Sequence, residues 1–294
     1  PVDVVSSGGW TRPLLQGQPG VGELYLVGSR RTPYWLSSAQ REVVAALAAR
    51  PRGPVWIADK GRWPVATIHR AGYPRDLVLT AQRDCRIGEH EHHIDRWLRF
   101  GAMTPPGLAP DAASPASAES SGSFRSPPLR VAAEARADLD AWLARLGIGT
   151  RRLVLVQAGN KRTMRWWAPR GRSTNTKYWP EERWGEVLRR VLDADPDSTV
   201  LLLGVPAEAA LNDAILAATR SDRVLNVARE LPIPRLLALQ ERAAGMLSVD
   251  TGPAHSAAAL DLPLVVLFGE ANVVHYLPRS PSGRVEAVQG AAGS

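Results

Sequence analysis

The chain is poor in cysteine, in long apolar runs, and in acidic residues relative to basic ones. Cys85 is the only cysteine among 294 residues, so no intrachain disulfide can form, which fits a reducing compartment. No apolar stretch reaches the ~18 residues a membrane-spanning helix needs, and no basic-then-apolar leader opens the sequence. The expectation is a cytoplasmic protein, at most peripheral at the inner face of the cytoplasmic membrane. Pro1 stands where Met would begin a complete chain, as in a fragment or a processed product. No internal repeat is visible. Lys and Arg number 36 against 29 Asp and Glu, a formal charge of +7. Such a surplus favours an anionic partner: nucleic acid, an acidic membrane surface or a phosphorylated substrate. The surplus is scattered arginine, so it does not choose among these.

What is present reads as globular: 45% of residues are hydrophobic and 22% charged, over a length sufficient for two domains. Val2–Val5 and Glu23–Val27 are strand-like. Ser37–Arg50 carries the helical apolar spacing of Val43, Val44 and Leu47, with Ser37 or Ser38 as cap. Residues 54–58 form a strand-like run ending at Asp59-Lys-Gly61, and helix-like 63–71 and strand-like 76–80 follow. This alternation predicts right-handed crossovers and a parallel sheet, a Rossmann-like domain over 1–103. His90, His92 and His93 lie near the start of a helix expected over 92–100. Their spacing is poor for one helix face and no cysteine accompanies them, so a solvated helix start is preferred to a metal site. Residues 104–130 are dominated by Pro, Ala, Ser and Gly and read as a flexible linker.

A second alternation occupies 131–294. An amphipathic helix over 131–146 presents Leu139, Trp142, Leu143 and Leu146. After it come strands at 152–156, 199–203 and 224–227, with helices at 179–192, 206–219 and 234–242. The stretch Met246-Leu-Ser-Val-Asp-Thr-Gly-Pro-Ala-His255 organises this half. A short apolar strand stops abruptly at Asp250, and Pro253 falls where a first helical turn accepts it. An alanine-rich helix and a second buried-type strand, Leu264–Phe268, complete a βαβ unit. Its loop sets Asp250, Thr251, Gly252 and His255 at a helix N-terminus, whose free N–H groups and partial positive charge suit a phosphate. Good helix capping alone would explain the turn equally well. Asp-Thr-Gly is also similar to the aspartic-protease motif, but that all-β fold needs paired carboxylates and no alanine-rich helix.

Two ordered motifs then carry a family resemblance. Ser248-Val-Asp-Thr-Gly-x-x-His-x-x-Ala-Ala-Leu-x-x-Pro263, followed by an apolar strand ending at Gly269, resembles the nucleotide-sugar signature of the ADP-heptose:lipopolysaccharide heptosyltransferases, glycosyltransferase family 9. Lys177-Tyr-Trp-Pro-Glu-Glu-Arg-Trp184, upstream, is similar to that family's Lys-x-Trp-Pro segment. The resemblance implies an α/β GT-B architecture: two Rossmann-like domains with parallel sheets facing a central cleft. It implies inverting, metal-independent transfer of a heptose or related sugar from an ADP-sugar to a lipopolysaccharide core acceptor. It also implies a donor site of Lys177 on the diphosphate, Glu208 on the ribose and Leu231 against adenine, with Asp250, Thr251, Gly252 and His255. Lys60 and Arg62 are candidates to meet an anionic glycolipid acceptor. The ADP-sugar is a substrate, and neither a cofactor nor a metal is expected.

The departures are specific. The family's catalytic Asp sits in a Gly-Asp element after a first strand, whereas Pro1–Val5 here aligns best with the second strand. The first strand–loop–helix is therefore expected to be missing, the base cannot be named, and Asp59 is only a weak substitute. Ala158-Gly159-Asn160 replaces small hydroxyl residues, and Glu270-Ala271 replaces Pro-Thr. A basic, aromatic insertion, 161–176, could clamp an anionic acceptor or membrane surface, or let single-stranded nucleic acid stack on Trp166 and Trp167. A mobile solvated loop is the plainer alternative. The rival to an enzyme is a degenerate, non-catalytic GT-B protein that only binds a nucleotide or partner. Oligomeric state leaves no trace in the sequence.

Overall fold

The computed structural model describes residues 1–108, 129–163 and 175–290, and divides the chain into two compact units, Pro1–Phe124 and Arg125–Ser294. Most of the stretch expected as linker, and residues 164–174 of the insertion with Trp166 and Trp167, lie outside the described residues.

The first unit runs β1 (Val2–Ser6), α1 (Thr11–Leu15), β2 (Val21–Leu26), α2 (Ser38–Ala48), β3 (Val55–Ile57), α3 (Arg62–Arg70), β4 (Val78–Thr80), α4 (Ala81–Asp84) and α5 (His93–Gly101). Ser37 caps α2, its hydroxyl accepting from the Gln40 N–H at 3.2 Å. Before β4, residues Arg75–Leu77 form a 3₁₀ turn, so the strand expected from residue 76 begins at Val78. The expected single parallel sheet is instead two separate parallel pairs, β1 with β2 and β3 with β4. Both pairs nevertheless share one apolar cluster built on Val27, Val43, Val44, Leu47, Ile57 and Ile68. The strands are held together by side-chain burial, not by a common hydrogen-bond ladder. His92 is buried and caps α5, its Nδ1 accepting from the Ile94 N–H at 3.0 Å, while His93 stacks on Trp97.

The second unit runs α6 (Ala133–Arg145), β5 (Arg152–Gln157), α7 (Glu181–Ala194), β6 (Ser198–Leu202), α8 (Ala209–Thr219), β7 (Val224–Asn226), α9 (Ile233–Arg242), β8 (Gly245–Val249), α10 (Gly252–Ala259), β9 (Leu264–Phe268), α11 (Val273–Tyr276) and β10 (Val285–Gln289). All strand pairs are parallel, in the order β10-β9-β8-β5-β6-β7. The central strands are aliphatic runs because both faces are covered, the usual condition of a parallel sheet. On one face Val156, Val200, Leu202 and Val249 pack with Trp184 and Leu188 of α7 and Ile215 of α8. Successive strand residues alternate faces, which turns Leu153 and Leu155, both buried, to the opposite layer. α7 approaches α8 closely because Gly185 has no side chain: a Cβ there would lie 2.8 Å from the Ala218 carbonyl carbon.

Strand order reverses at β5. The chain first grows outward through β6 and β7, then returns with β8 on the other side of β5. In open parallel sheets that reversal leaves a crevice beyond the carboxyl ends of the two adjacent strands, where ligands bind.

Candidate functional site

At this reversal the loops after β5 and β8 line one cleft of 540 Å³, walled by Asn160, Lys161, Arg162 and Asn175–Lys177 on one side and by Asp250–Gly252 on the other. Local chemistry explains why β8 stops there. Thr251 is extended (φ −150°, ψ 170°), and Gly252 and Pro253 open α10 with Pro in its first turn, where its missing N–H costs nothing. Gln240 of α9, itself 1% exposed, fixes that turn: its Nε2 donates to the Pro253 carbonyl at 2.8 Å, and its Oε1 accepts from the Ser256 hydroxyl at 2.8 Å. Ala254, Ala257 and Ala258 are buried, so α10 lies tightly on the sheet. A Cβ placed on Gly252 would meet nothing within 4 Å.

Lys177 reaches the cleft from the segment before α7. Trp179 packs edge-on against the fully buried Trp184, with centroids 5.0 Å apart, and Pro180 sets the start of α7. Gly269, at the end of β9, lets the Thr176 backbone pass, since a Cβ there would overlap the Thr176 carbonyl. Thus anchored, Lys177 Nζ lies 2.5 Å from Asp250 Oδ2 and donates to the Asp250 carbonyl at 2.7 Å. His255 Nε2 stands 3.7 Å from the other carboxylate oxygen. Burial, the largest influence on Asp250, would raise its carboxyl pKa. The contacts from His255 and Lys177 outweigh it and hold the group below its usual range. The carboxylate is therefore ionised and neutralised locally. Lys161, Arg162 and Lys177 line the cleft together with the first residues of α10, whose N-terminal amides carry partial positive charge.

The other sequence candidates fall in different places. Glu208 is buried beneath the loop after β5, not on the cleft wall. Its Oε2 accepts from the Val205 N–H at 3.1 Å and its Oε1 contacts the Thr163 hydroxyl at 3.3 Å. Burial pushes this carboxyl up, against those two hydrogen bonds and one from Gln157. Thr163 in turn accepts from the Asn160 N–H at 2.7 Å, so Glu208 is coupled to the cleft wall through one residue. Leu231 is partly exposed in the loop before α9. In the first unit Lys60 and Arg62 are exposed where β3 passes into α3. Asp59 beside them is engaged as a loop clasp, accepting from the Gly61 N–H at 2.6 Å, from Trp63 Nε1 at 3.2 Å and from Arg30 at 3.4 Å.

Sequence reasoning named Asn160 as a departure from the family and Lys161, Arg162 and Asn175 within an insertion that could clamp an anionic acceptor, but did not place them on the wall of the donor-side cleft. The signal was in view, because the insertion's first residues are basic and directly follow a central strand. Among the described residues no group of three or more His, Cys, Asp or Glu side chains gathers as metal ligands would, and no helix is long and apolar enough to cross a membrane.

With that geometry in hand, comparisons with known proteins are specific. The family model of glycosyltransferase family 9 (heptosyltransferase) matches residues 67–289. Among solved structures, a glycosyl transferase family 9 protein of Veillonella parvula superposes with a TM-score of 0.71 at 15% identity, over 95% of this chain and 74% of that one. The E. coli ADP-heptose heptosyltransferase II gives 0.71 at 19% identity, over 99% and 82%. E. coli heptosyltransferase WaaC, solved with ADP, gives 0.64 at 17% identity, over 98% and 83%. At such identities these likenesses establish the fold: α/β with parallel sheets, matching GT-B heptosyltransferases. No curated protein matches the chain.

Proposed function

The chain belongs to glycosyltransferase family 9, the heptosyltransferases, and from that membership we propose that it moves a heptose, or a closely related sugar, from an ADP-sugar to a lipopolysaccharide core acceptor. The transfer inverts the anomeric centre and uses no metal. One observation carries the donor half of this reading: the cleft at the strand reversal is lined by basic residues, among them Lys177 held by Asp250, and by the N-terminus of α10. A sugar nucleotide presents a diphosphate, and its departure from the anomeric carbon adds about one negative charge to the leaving group. Lys161, Arg162, Lys177 and the α10 amides offset that charge where a metal would otherwise be required. Because the positive groups are fixed before the sugar departs, they favour the transition state over the bound donor.

Asp250 has a positioning role in this account. It holds Lys177 and His255 at the mouth of α10, and donor binding exchanges part of the Lys177–Asp250 contact for a phosphate contact. Glu208 and Leu231 are the candidates for ribose and adenine. Lys60 and Arg62 are the candidates for the acceptor's anionic groups, with the enzyme working at an inner-membrane surface that carries the glycolipid. The attacking hydroxyl must lose its proton to a base, and none is assigned, since Asp59 is already engaged by three donors.

A panel of ADP-, UDP-, GDP- and CMP-sugars, read by calorimetry and by sugar transfer to a lipopolysaccharide core acceptor, tests the reading. Binding and turnover with ADP-heptose are expected. Preference for a uridine or guanosine donor would overturn the nucleotide assignment, and failure of every donor to bind would overturn the site.

A further inference from the structure

The wall of the cleft holds a hydrogen-bond donor that the chain itself leaves unused. Asn160 and Asn175 are both buried, 7% and 5% exposed, and both line the cleft. Backbone N–H groups fix the orientation of their amides. The Arg162 N–H donates to Asn160 Oδ1 at 2.8 Å, so the other end of that amide is the Nδ2 donor. Asn160 Nδ2 then donates to Asn175 Oδ1 at 3.4 Å, and the Lys177 N–H donates to the same oxygen at 3.3 Å. Flipping either amide would set donor against donor. Asn175 Nδ2 therefore stands at the remaining end, and it has no partner.

A buried N–H without an acceptor is costly, and native structures carry few of them. Two other buried side-chain atoms among the described residues lack a partner, Trp184 Nε1 and Asn212 Oδ1. Both belong to fully buried helical residues that do not line this cleft. Asn175 alone of the three stands beside the basic residues of the donor site.

Resting on the donor assignment above, we infer that Asn175 Nδ2 donates to a non-bridging oxygen of the donor's diphosphate, and that Asn160 is the positioning residue that holds the amide in this sense. A phosphoryl oxygen only accepts, which suits an amide whose acceptor end is already taken by two donors. The same oxygen is drawn there by Lys177, two residues on, and by Lys161 and Arg162, which follow Asn160. Asn175 is joined to Lys177 through the Lys177 N–H, so the exchange of Lys177 from Asp250 to a phosphate also presents Asn175 to the ligand. The lysine supplies charge; the amide supplies direction, fixing where the diphosphate sits.

Calorimetry of ADP and of ADP-heptose with Asn175→Ala and Asn175→Asp tests this. Alanine removes both ends of the amide, whereas aspartate keeps an acceptor for Asn160 and the Lys177 N–H and removes only the donor. Both variants are expected to bind both ligands about tenfold or more weakly than wild type, because a hydrogen bond to a charged group is lost. A loss in Asn175→Ala alone would make Asn175 a mere acceptor for its loop, and a loss in Asn175→Asp alone would be charge repulsion; either overturns the inference. A loss confined to ADP-heptose would put the partner on the sugar and overturns it as well. If Asn175→Ala does not fold, Asn175→Asp is compared with wild type at about 0.1 M and about 1 M salt, since the higher concentration screens repulsion. A deficit that persists upholds the inference, and one that disappears overturns it. Failure of wild type to bind ADP would remove the donor assignment and this inference together, whereas wild-type binding matched by both variants removes this inference alone.

Discussion

Replacing Lys177 by Met removes the ammonium but keeps most of the apolar stem, which isolates the charge. In the folded protein this leaves the Asp250 carboxylate, 9% exposed, facing His255 alone at 3.7 Å. A fully buried pair broken in this way costs about 3–5 kcal/mol, and an exposed one about 0–1. The Lys177 side chain is 31% exposed, so water reaches the site and the expected loss is intermediate, about 2 kcal/mol. Urea denaturation at pH 7 with an unchanged m-value reads it directly. Adding Asp250→Asn should restore about 1 kcal/mol or more, because the stranded charge disappears. The pH dependence has a fixed sign. The native contacts hold Asp250 below its ordinary 3.8, so their stabilisation is fully present above that value and is lost as pH falls below it through the lower folded-state value. The gap between wild type and Lys177→Met should close over the same range. A loss below about 0.5 kcal/mol at pH 7, or a gap that persists in acid, would refute the reasoning.

Gly252→Ala separates stability from binding. Its backbone is not left-handed and the space around it is open, so folding should be unaffected or improved by about 0.5 kcal/mol, while ADP-sugar affinity falls about tenfold in calorimetry. Unchanged affinity would remove the α10 N-terminus from the site. Glu208→Gln should match or exceed wild-type stability at pH 7. The raised pKa of Glu208 means its carboxyl favours the folded state below its ordinary 4.5 and less so as pH rises through the folded value. A loss above about 1 kcal/mol in the same urea titration contradicts this. Gly185→Ala should cost about 1–3 kcal/mol by forcing α7 from the Ala218 backbone, read as a lowered melting temperature. No loss would mean the two helices can separate without penalty.

The second unit was largely legible because its strands are buried on both faces and so appear as uninterrupted apolar runs. β10 escaped notice for the opposite reason: Glu286, Ala287 and Val288 are exposed on an edge strand and show neither run nor alternation. α1 is only five residues with Pro13 inside it, too short for a period to register. The separation of the first unit's strands into two pairs left no mark on either pair, since an unpaired edge reads like a paired one. At the site, the Asp250 turn was readable from its local chemistry. The Lys177–Asp250 contact joins residues 73 apart in the chain, and no local pattern encodes such a pair. The burial of Glu208 was hidden for the same reason, because it depends on Gly159 and Gly204 leaving room for its carboxylate.

The central claim is that a diphosphate-bearing donor sits at the mouth of α10 against Lys177. Amide exchange of the protein with and without ADP-heptose locates the ligand most directly. The account predicts slowed exchange over residues 250–255 and around Lys177. Protection confined to other segments, with those amides unchanged under saturating donor, would contradict it.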